Sequence, residues 1–286
     1  MGTYAVTGAA SGMGKATVER LHAAGHTVIG VDLRDADVIA DLSTPAGRST
    51  AAATVLEQSG GRLDGAVLAA GIGPGPGRER LLAEINYLGT VELLTQWRPA
   101  LAATGAAKVV VFSSNSTTTT PLVPGSAVKA LLASDPAKAV RIMRRFGKNA
   151  PGLMYGTSKI ALSRWLRRAA VTPEWAGAGI RLNAIAPGAI LTPLLQAQLD
   201  DPEQRGAIEA FPIPTGDYGT AGQIADWVIF MLSPAADFMA GSLVFVDGGT
   251  DAFFRSEDWP TAVPLVGLMR YLRLGREFAA RKAAKR

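Results

Sequence analysis

The chain has 286 residues, 48% of them apolar, with 32 Gly, 17 Pro and no Cys, and a formal charge of +5 from 29 basic and 24 acidic residues. That length buries a full core without disulfides or a structural metal, and the absence of Cys excludes disulfide frameworks, thiolate zinc sites, iron–sulfur clusters and Cys nucleophiles. His22 and His26 are the only histidines, with Gly25 ending a helix between them, so a metal site or a Ser–His–Asp triad is not expected.

In chain order, short β-rich runs predict buried strands at Thr3–Val6, Thr27–Val31, Ala66–Ala69, Val109–Phe112, Arg181–Ile185 and Leu243–Val246. Helical patterns at Gly14–Ala24, Pro45–Gln58, Leu81–Leu94, Tyr155–Ala169 and Thr220–Leu232 fall between them. Alternating β-α-β units predict an α/β fold, a single Rossmann-type doubly wound parallel sheet with helices on both faces. Ser116–Met154 reads as a helical insertion, with helices at Ala127–Ala133 and Pro136–Phe146. A catalytic domain at 1–254 and a basic C-terminal extension at 255–286 complete the expected organisation. No apolar run approaches the roughly 18 residues that span a bilayer. No leader precedes the first strand, so the expected location is cytoplasmic.

Thr7-Gly8-Ala9-Ala10-Ser11-Gly12-Met13-Gly14 joins the first strand to the first helix. Glycines there let the backbone turn sharply and approach a pyrophosphate, and a helix N-terminus offers free N–H groups and a positive dipole end. Asp32 ends the second strand, where a carboxylate accepts both hydroxyls of an adenosine ribose. It also repels a 2′-phosphate, by about 4 kcal/mol at 4 Å and an effective dielectric near 20. NAD is therefore expected over NADP, with Arg34 and Lys15 as nearby bases that blunt the preference.

Tyr155 and Lys159 stand one helical turn apart on one face. A cation beside a phenol stabilises phenolate and pulls the Tyr pKa, ordinarily about 10, toward neutrality. A phenol so tuned exchanges a proton with an alcohol or carbonyl. The strand end Phe112-Ser113-Ser114 can turn only one serine into a site, because side chains alternate. Ser114 is the expected one, placed to hydrogen-bond a substrate oxygen.

These residues resemble the short-chain dehydrogenase/reductase family over residues 3 to about 250. They match its TGxxxGxG from Thr7 to Gly14, its Ser114, its YxxxK at Tyr155 and Lys159, and its helix Asn86. The Asn183 to Gly188 stretch with Thr192 beyond it also matches. The resemblance implies a catalytic set of Ser114, Tyr155, Lys159 and Asn86, the last holding a proton-relay water. It implies NAD held by Thr7, Gly8, Ser11, Gly12, Met13, Gly14, Asp32, Leu33, Asp41, Leu42, Ala70, Gly71, Tyr155, Lys159, Pro187, Gly188, Ile190 and Thr192. In it Asp41 and Leu42 contact adenine, Gly71 lies beside the adenosine ribose, and Pro187–Ile190 with Thr192 hold the carboxamide. Two departures stand out. The family's Asn-Asn-Ala-Gly reads Ala69-Ala70-Gly71, losing a structural hydrogen bond, and Ser114 and Tyr155 are 41 positions apart instead of about a dozen.

The long gap, with the runs Gly30–Thr44, Arg181–Leu199 and Met231–Ala236, is similar to the bacterial 3α-hydroxysteroid dehydrogenase/carbonyl reductase group. That similarity implies a lipophilic small-molecule substrate, a 3α-hydroxysteroid or a related carbonyl compound. Leu191, Leu194, Leu195, Leu199, Ile208, Phe211, Pro212 and Ile213 form an apolar stretch that either lids the site or packs a loop. A terpene or fatty carbonyl substrate is the enzymatic alternative, and a non-catalytic nucleotide-binding regulator is the alternative of another class. The family implies a homodimer or homotetramer. The insertion stands before the helix that commonly forms the interface, which favours a dimer through the other end of the sheet.

The charge has a location. Residues 255–286 hold eight basic and three acidic residues, the whole excess, and Ser116–Met154 holds six basic residues against Asp135. The high pI is therefore no sign of a nucleic-acid-binding domain. Pro264–Arg286 reads as a basic, partly amphipathic helix with two competing expectations, a weak membrane-surface contact or a loosely docked tail.

Overall fold

The protein, seen in a computed structural model, is described over residues 1–258 and 267–283. The elements run β1 (Thr3–Thr7), α1 (Gly12–Ala23), β2 (Thr27–Asp32), β3 (Val38–Ile39), α2 (Pro45–Gln58), β4 (Gly65–Leu68) and α3 (Glu79–Ala83). A π-helical segment at Glu84–Gly89 leads into α4 (Thr90–Ala102), followed by β5 (Lys108–Phe112), α5 (Ser116–Thr119), α6 (Gly125–Leu132), α7 (Pro136–Met143) and α8 (Ala150–Ala169). Then come β6 (Arg181–Pro187), β7 (Ile190–Leu191), α9 (Pro193–Asp200), α10 (Pro202–Glu209), β8 (Gly219–Thr220), α11 (Ala221–Leu232), β9 (Leu243–Val246), α12 (Thr250–Arg255) and α13 (Leu268–Ala283).

Seven parallel strands form one sheet in the order β3-β2-β1-β4-β5-β6-β9. The expected doubly wound architecture is present. Chain direction across the sheet reverses between β1 and β4, and ligands of such sheets bind outside the carboxyl ends at that point. Alternation along each strand feeds two cores. Tyr4, Val6, Val67, Val110 and Ile185 meet Leu21 of α1 and Ile224, Val228 and Met231 of α11. Ala5, Ala66, Val109, Val111, Leu182 and Ala184 meet Val55, Leu93, Trp97, Leu162 and Leu166 of α2, α4 and α8.

Some boundaries differ from the sequence reading. The helix that carries Tyr155 and Lys159 begins at Ala150, not Tyr155, because Pro151 opens its first turn. Glu79 to Ala102 is one continuous helical run whose π segment carries Asn86; such widened turns recur at functional sites. The short pair β7–β8, too brief for periodicity to show, went unread. The insertion is part of the core, since Val128, Leu131, Ala139 and Met143 are buried in the same cluster as Met154. Its basic residues Lys138, Arg141, Arg144, Arg145 and Lys148 are exposed. His26 accepts from the Gly2 N–H at 3.1 Å and stacks edge-on against Tyr4.

The chain divides into two compact units, Met1–Asp251 and Ala252–Arg286, slightly earlier than the division at 254/255. In the second unit α13 supplies the expected helix, while Pro264, Leu265, Lys285 and Arg286 lie outside the described residues.

A buried ion network links two parts of the first unit. Arg48 of α2 donates to the Leu42 carbonyl at 3.1 Å, to Glu84 at 3.1 Å and to Glu92 at 2.6 Å.

Candidate active site

At the switch point, Gly8 has φ +70° and Gly12 φ +54°, where an L side chain is strained. A Cβ on Gly8 would lie 2.8 Å from the Ala70 nitrogen, and one on Gly14 would lie 2.0 Å from the Gly8 carbonyl oxygen. Only glycine lets this turn close against β4 and α1. Ser11 caps α1 without a side-chain bond to the first turn, and that turn holds no acidic residue. Its N–H groups are therefore available to an anion.

Asp32 is fixed at the end of β2, with Oδ2 accepting from the Ala10 N–H at 2.9 Å and Oδ1 from Leu33 at 2.7 Å. Sequence reasoning missed Asp37, whose carboxylate accepts from the Gly30 N–H at 2.7 Å and adds a second negative charge near β2. Its acceptor is a backbone amide brought close by folding, which no spacing signals. Leu42 and Asp41 line the far wall of the cleft, held through the Leu42 carbonyl by Arg48.

The cleft consists of two adjoining cavities of about 200 Å³ and 150 Å³. Met13, Ala69, Gly71, Ile72, Thr192 and Leu194 border both. The first is walled by Gly8, Ser11, Gly12, Met13, Gly14, Asp32, Leu33, Asp41, Leu42, Ala70 and Gly71. The second is walled by Ser114, Tyr155, Lys159, Pro187, Gly188, Ile190 and Thr192. So all the expected cofactor residues except Thr7 border one continuous cleft. Thr7 is buried and its hydroxyl accepts from the Ala70 N–H at 3.1 Å. In this position Thr7 holds the Ala70 main chain.

Asn86 is also behind the wall. It is fully buried, with Oδ1 accepting from the Ile72 N–H at 2.9 Å and Nδ2 donating to the Ile72 carbonyl at 3.0 Å. The expected weakness around Gly71 is thus made good from both sides, by Thr7 and by Asn86. A Cβ on Gly71 would sit 3.2 Å from Asn86 Oδ1 and 3.8 Å from Lys159 Nζ.

The two serines separate as strand alternation requires. Ser113 also borders the second cavity, but its hydroxyl is engaged by Ser163 at 2.8 Å. Ser114 opens on the cleft, and its hydroxyl also accepts from the Ser116 N–H at 3.1 Å. Lys159 Nζ lies 5.9 Å from the Tyr155 ring centre and donates to the Phe112 carbonyl at 2.8 Å. Burial pushes the Tyr155 phenol above its usual value, and its hydrogen bond with Ser114 pulls the other way. Burial also drives the Lys159 ammonium down to about 8. The expected downward pull of lysine on tyrosine is therefore outweighed by burial. Desolvation of both groups outweighs a cation that is spent on a carbonyl.

Leu194 and Leu195 of α9 line the catalytic cavity with Gln198. Leu194 reaches across to Gly73, where an added Cβ would meet its Cδ1 at 3.3 Å. Leu191 is exposed and Ile213 lines a separate cavity, so only part of the apolar stretch roofs the site. Gln198 went unread because one polar residue on a helix carries no motif.

The donor set fits a dinucleotide: glycines where a Cβ would obstruct, an uncapped helix start and a pinned carboxylate at the strand end. Among the described residues no cluster of metal-ligating side chains occurs. Residues 4–188 match the NAD dependent epimerase/dehydratase family, and residues 138–251 match the enoyl-(acyl carrier protein) reductase family. A 3-alpha-hydroxysteroid dehydrogenase/carbonyl reductase of Comamonas testosteroni is 40% identical over 255 residues, covering 89% of this chain and 98% of that protein.

The chain belongs to the short-chain dehydrogenase/reductase family.

It is an NAD-dependent oxidoreductase of that family. The crystal structure of the 3-alpha-hydroxysteroid dehydrogenase from Pseudomonas sp. B-0831 complexed with NADH superposes with a TM-score of 0.83 at 42% identity, covering 89% of this chain and 99% of that one. Levodione reductase superposes with a TM-score of 0.69 at 28% identity, covering 87% of this chain and 97% of that one. Among the described residues no helix is long and apolar enough to cross a membrane.

Proposed function

We propose that this enzyme interconverts a 3α-hydroxysteroid, or a lipophilic secondary alcohol of similar shape, with its ketone. The observation that carries the reading is the convergence of Ser114, Tyr155 and Lys159 under the apolar side chains of Leu194 and Leu195. The whole-length similarity to a hydroxysteroid dehydrogenase supports the steroid.

In this reading Gly8, Ser11, Gly12, Met13 and Gly14 hold the pyrophosphate, with Asp32 and Leu33 at the adenosine ribose. Asp41, Leu42, Ala70 and Gly71 hold the adenine side, and Pro187, Gly188, Ile190 and Thr192 the carboxamide. NAD supplies the hydride acceptor, and NADH the donor. Ser114 donates a hydrogen bond to the substrate oxygen and orients it toward the phenol. Tyr155 takes the proton from the alcohol or returns it to the ketone oxygen. Lys159, once drawn from the Phe112 carbonyl, offers its charge to the phenolate and so lowers the cost of ionising it. Asn86 fixes the Ile72 main chain, which keeps Gly71 close to Lys159. Leu194 and Leu195 exclude water from this end of the cleft.

The test is NADH formation followed optically across a panel of 3α- and 3β-hydroxysteroids, terpene alcohols and fatty alcohols. Faster turnover of the 3α-steroids supports the reading. Turnover confined to the non-steroids overturns the substrate, and no hydride exchange with any alcohol or carbonyl overturns the enzyme.

We also infer a homodimer formed away from α8. The insertion helix α6 buries Ala127, Val128 and Leu131 in the core cluster that α8 shares, which covers that helix. Light scattering is expected to give twice the chain mass, and four times that mass removes the inference.

A further inference from the structure

The C-terminal helix has no part in the chemistry above. At about 3.6 residues per turn, its side chains sort onto two sides. Leu268, Met269, Tyr271, Leu272, Leu274 and Phe278 occupy one broad side, and all of them are more than two-fifths exposed. Arg270, Arg273 and Arg281 stand opposite, beside Glu277, the one acid among the residues of α13. Glu277 engages Arg273 at 3.6 Å and the Arg281 guanidinium at its carbonyl. The helix therefore presents a broad solvent-exposed apolar face under a cationic one.

We propose that α13 docks flat on an anionic lipid surface, with its apolar side in the headgroup–acyl boundary. A broad, convex apolar side bordered by arginines is the pattern of interfacial helices. Arg276 falls among the apolar positions, where its stem lies along the apolar surface and its head reaches the phosphates. That position is costly in a protein core and well suited to a headgroup layer. A second copy is the poorer occupant, because it brings a like-charged helix against this one. The proposal does not depend on the steroid reading, although a lipophilic substrate dissolved in a bilayer would share that surface with the enzyme.

The test is flotation of the full-length protein with vesicles of phosphatidylcholine alone and of phosphatidylcholine with phosphatidylserine. Alcohol oxidation is measured on every variant as a check of folding. Flotation is expected only with the anionic vesicles and is expected to fall as salt rises. Arg270→Ala and Arg273→Ala are each expected to weaken vesicle binding roughly fivefold. Leu272→Glu with Phe278→Glu is expected to abolish it, with turnover kept. Lys138→Glu with Arg141→Glu, on the exposed face of α7, is the control and is expected to leave flotation unchanged. Three results overturn the proposal: no flotation with either vesicle, flotation that survives the α13 variants, or loss of flotation in the α7 control alone. Mass doubling that disappears in the α13 variants without any flotation assigns the face to a second copy and also overturns it.

Discussion

The two ends of the cleft are built from different material. The glycine-lined end is made of main chain, where Gly8, Gly12 and Gly14 clear space and α1 presents its N–H groups. The end lined by Ser114, Tyr155 and Lys159 is made of side chains delivered by the ends of β5 and β6 and by α8 and α9. A main-chain site tolerates no added atom, whereas a side-chain site tolerates shape changes but no change of chemistry. Substitutions therefore fail differently at the two ends.

Tyr155→Phe changes one oxygen and should lower turnover by about three orders of magnitude. NADH affinity, read by fluorescence titration, should stay within about twofold. Near-normal turnover would end the assignment of Tyr155 as the proton carrier. Gly14→Ala adds one methyl against the Gly8 carbonyl oxygen, 2.0 Å from the new Cβ. NADH affinity should fall about 100-fold, and stability by about 1–3 kcal/mol from overpacking; unchanged affinity would mean that the cradle is not backbone-limited.

Lys159 sharpens the contrast because its charge is costly to hold. Its folded pKa of about 8 lies below the usual 10.5, so the unfolded chain binds the extra proton between those values. Stability from this group therefore rises as pH climbs from about 8 to 10.5 and is lacking below 8. Lys159→Met should abolish turnover yet stabilise the cofactor-free protein by about 2 kcal/mol at neutral pH, after allowing for the lost Phe112 bond. That gain should shrink by pH 10. Equal urea midpoints at pH 7 would count against a costly charge. The smallest effect is expected at Asp32, which is partly solvated. Asp32→Ser should raise NADP use relative to NAD about tenfold, less than the unscreened repulsion would give. A ratio of kcat/KM values that does not move would transfer the selectivity to Asp37.

The sheet, its helices and the glycine turn were legible because each depends on neighbours in sequence. The positive φ of Gly8 and Gly12 and the approach of Gly14 to the Gly8 carbonyl act within seven residues, whereas the closeness of Gly8 to Ala70 does not. The supporting bonds were not legible. Thr7 to Ala70, Asn86 to Ile72 and Asp37 to Gly30 each join a side chain to an amide, and no residue type marks an amide. At Lys159 the sequence shows the neighbour but not the burial. The i, i+4 spacing gives proximity to a ring but not the desolvation that governs both groups.

The Arg48 network has a dynamic consequence. Arg48 ties the Leu42 carbonyl, at the far wall of the first cavity, to Glu84, the first residue of the π segment that carries Asn86. Releasing either tether removes one partner from a buried guanidinium, and that cost couples opening of the wall around Leu42 to opening of the Asn86 segment. In hydrogen exchange the amides around Leu42 and those of residues 84–89 should open as one cooperative unit. Motion of the wall around Leu42 is then felt at Ile72, which Asn86 holds and which borders both cavities, through a residue that lines neither.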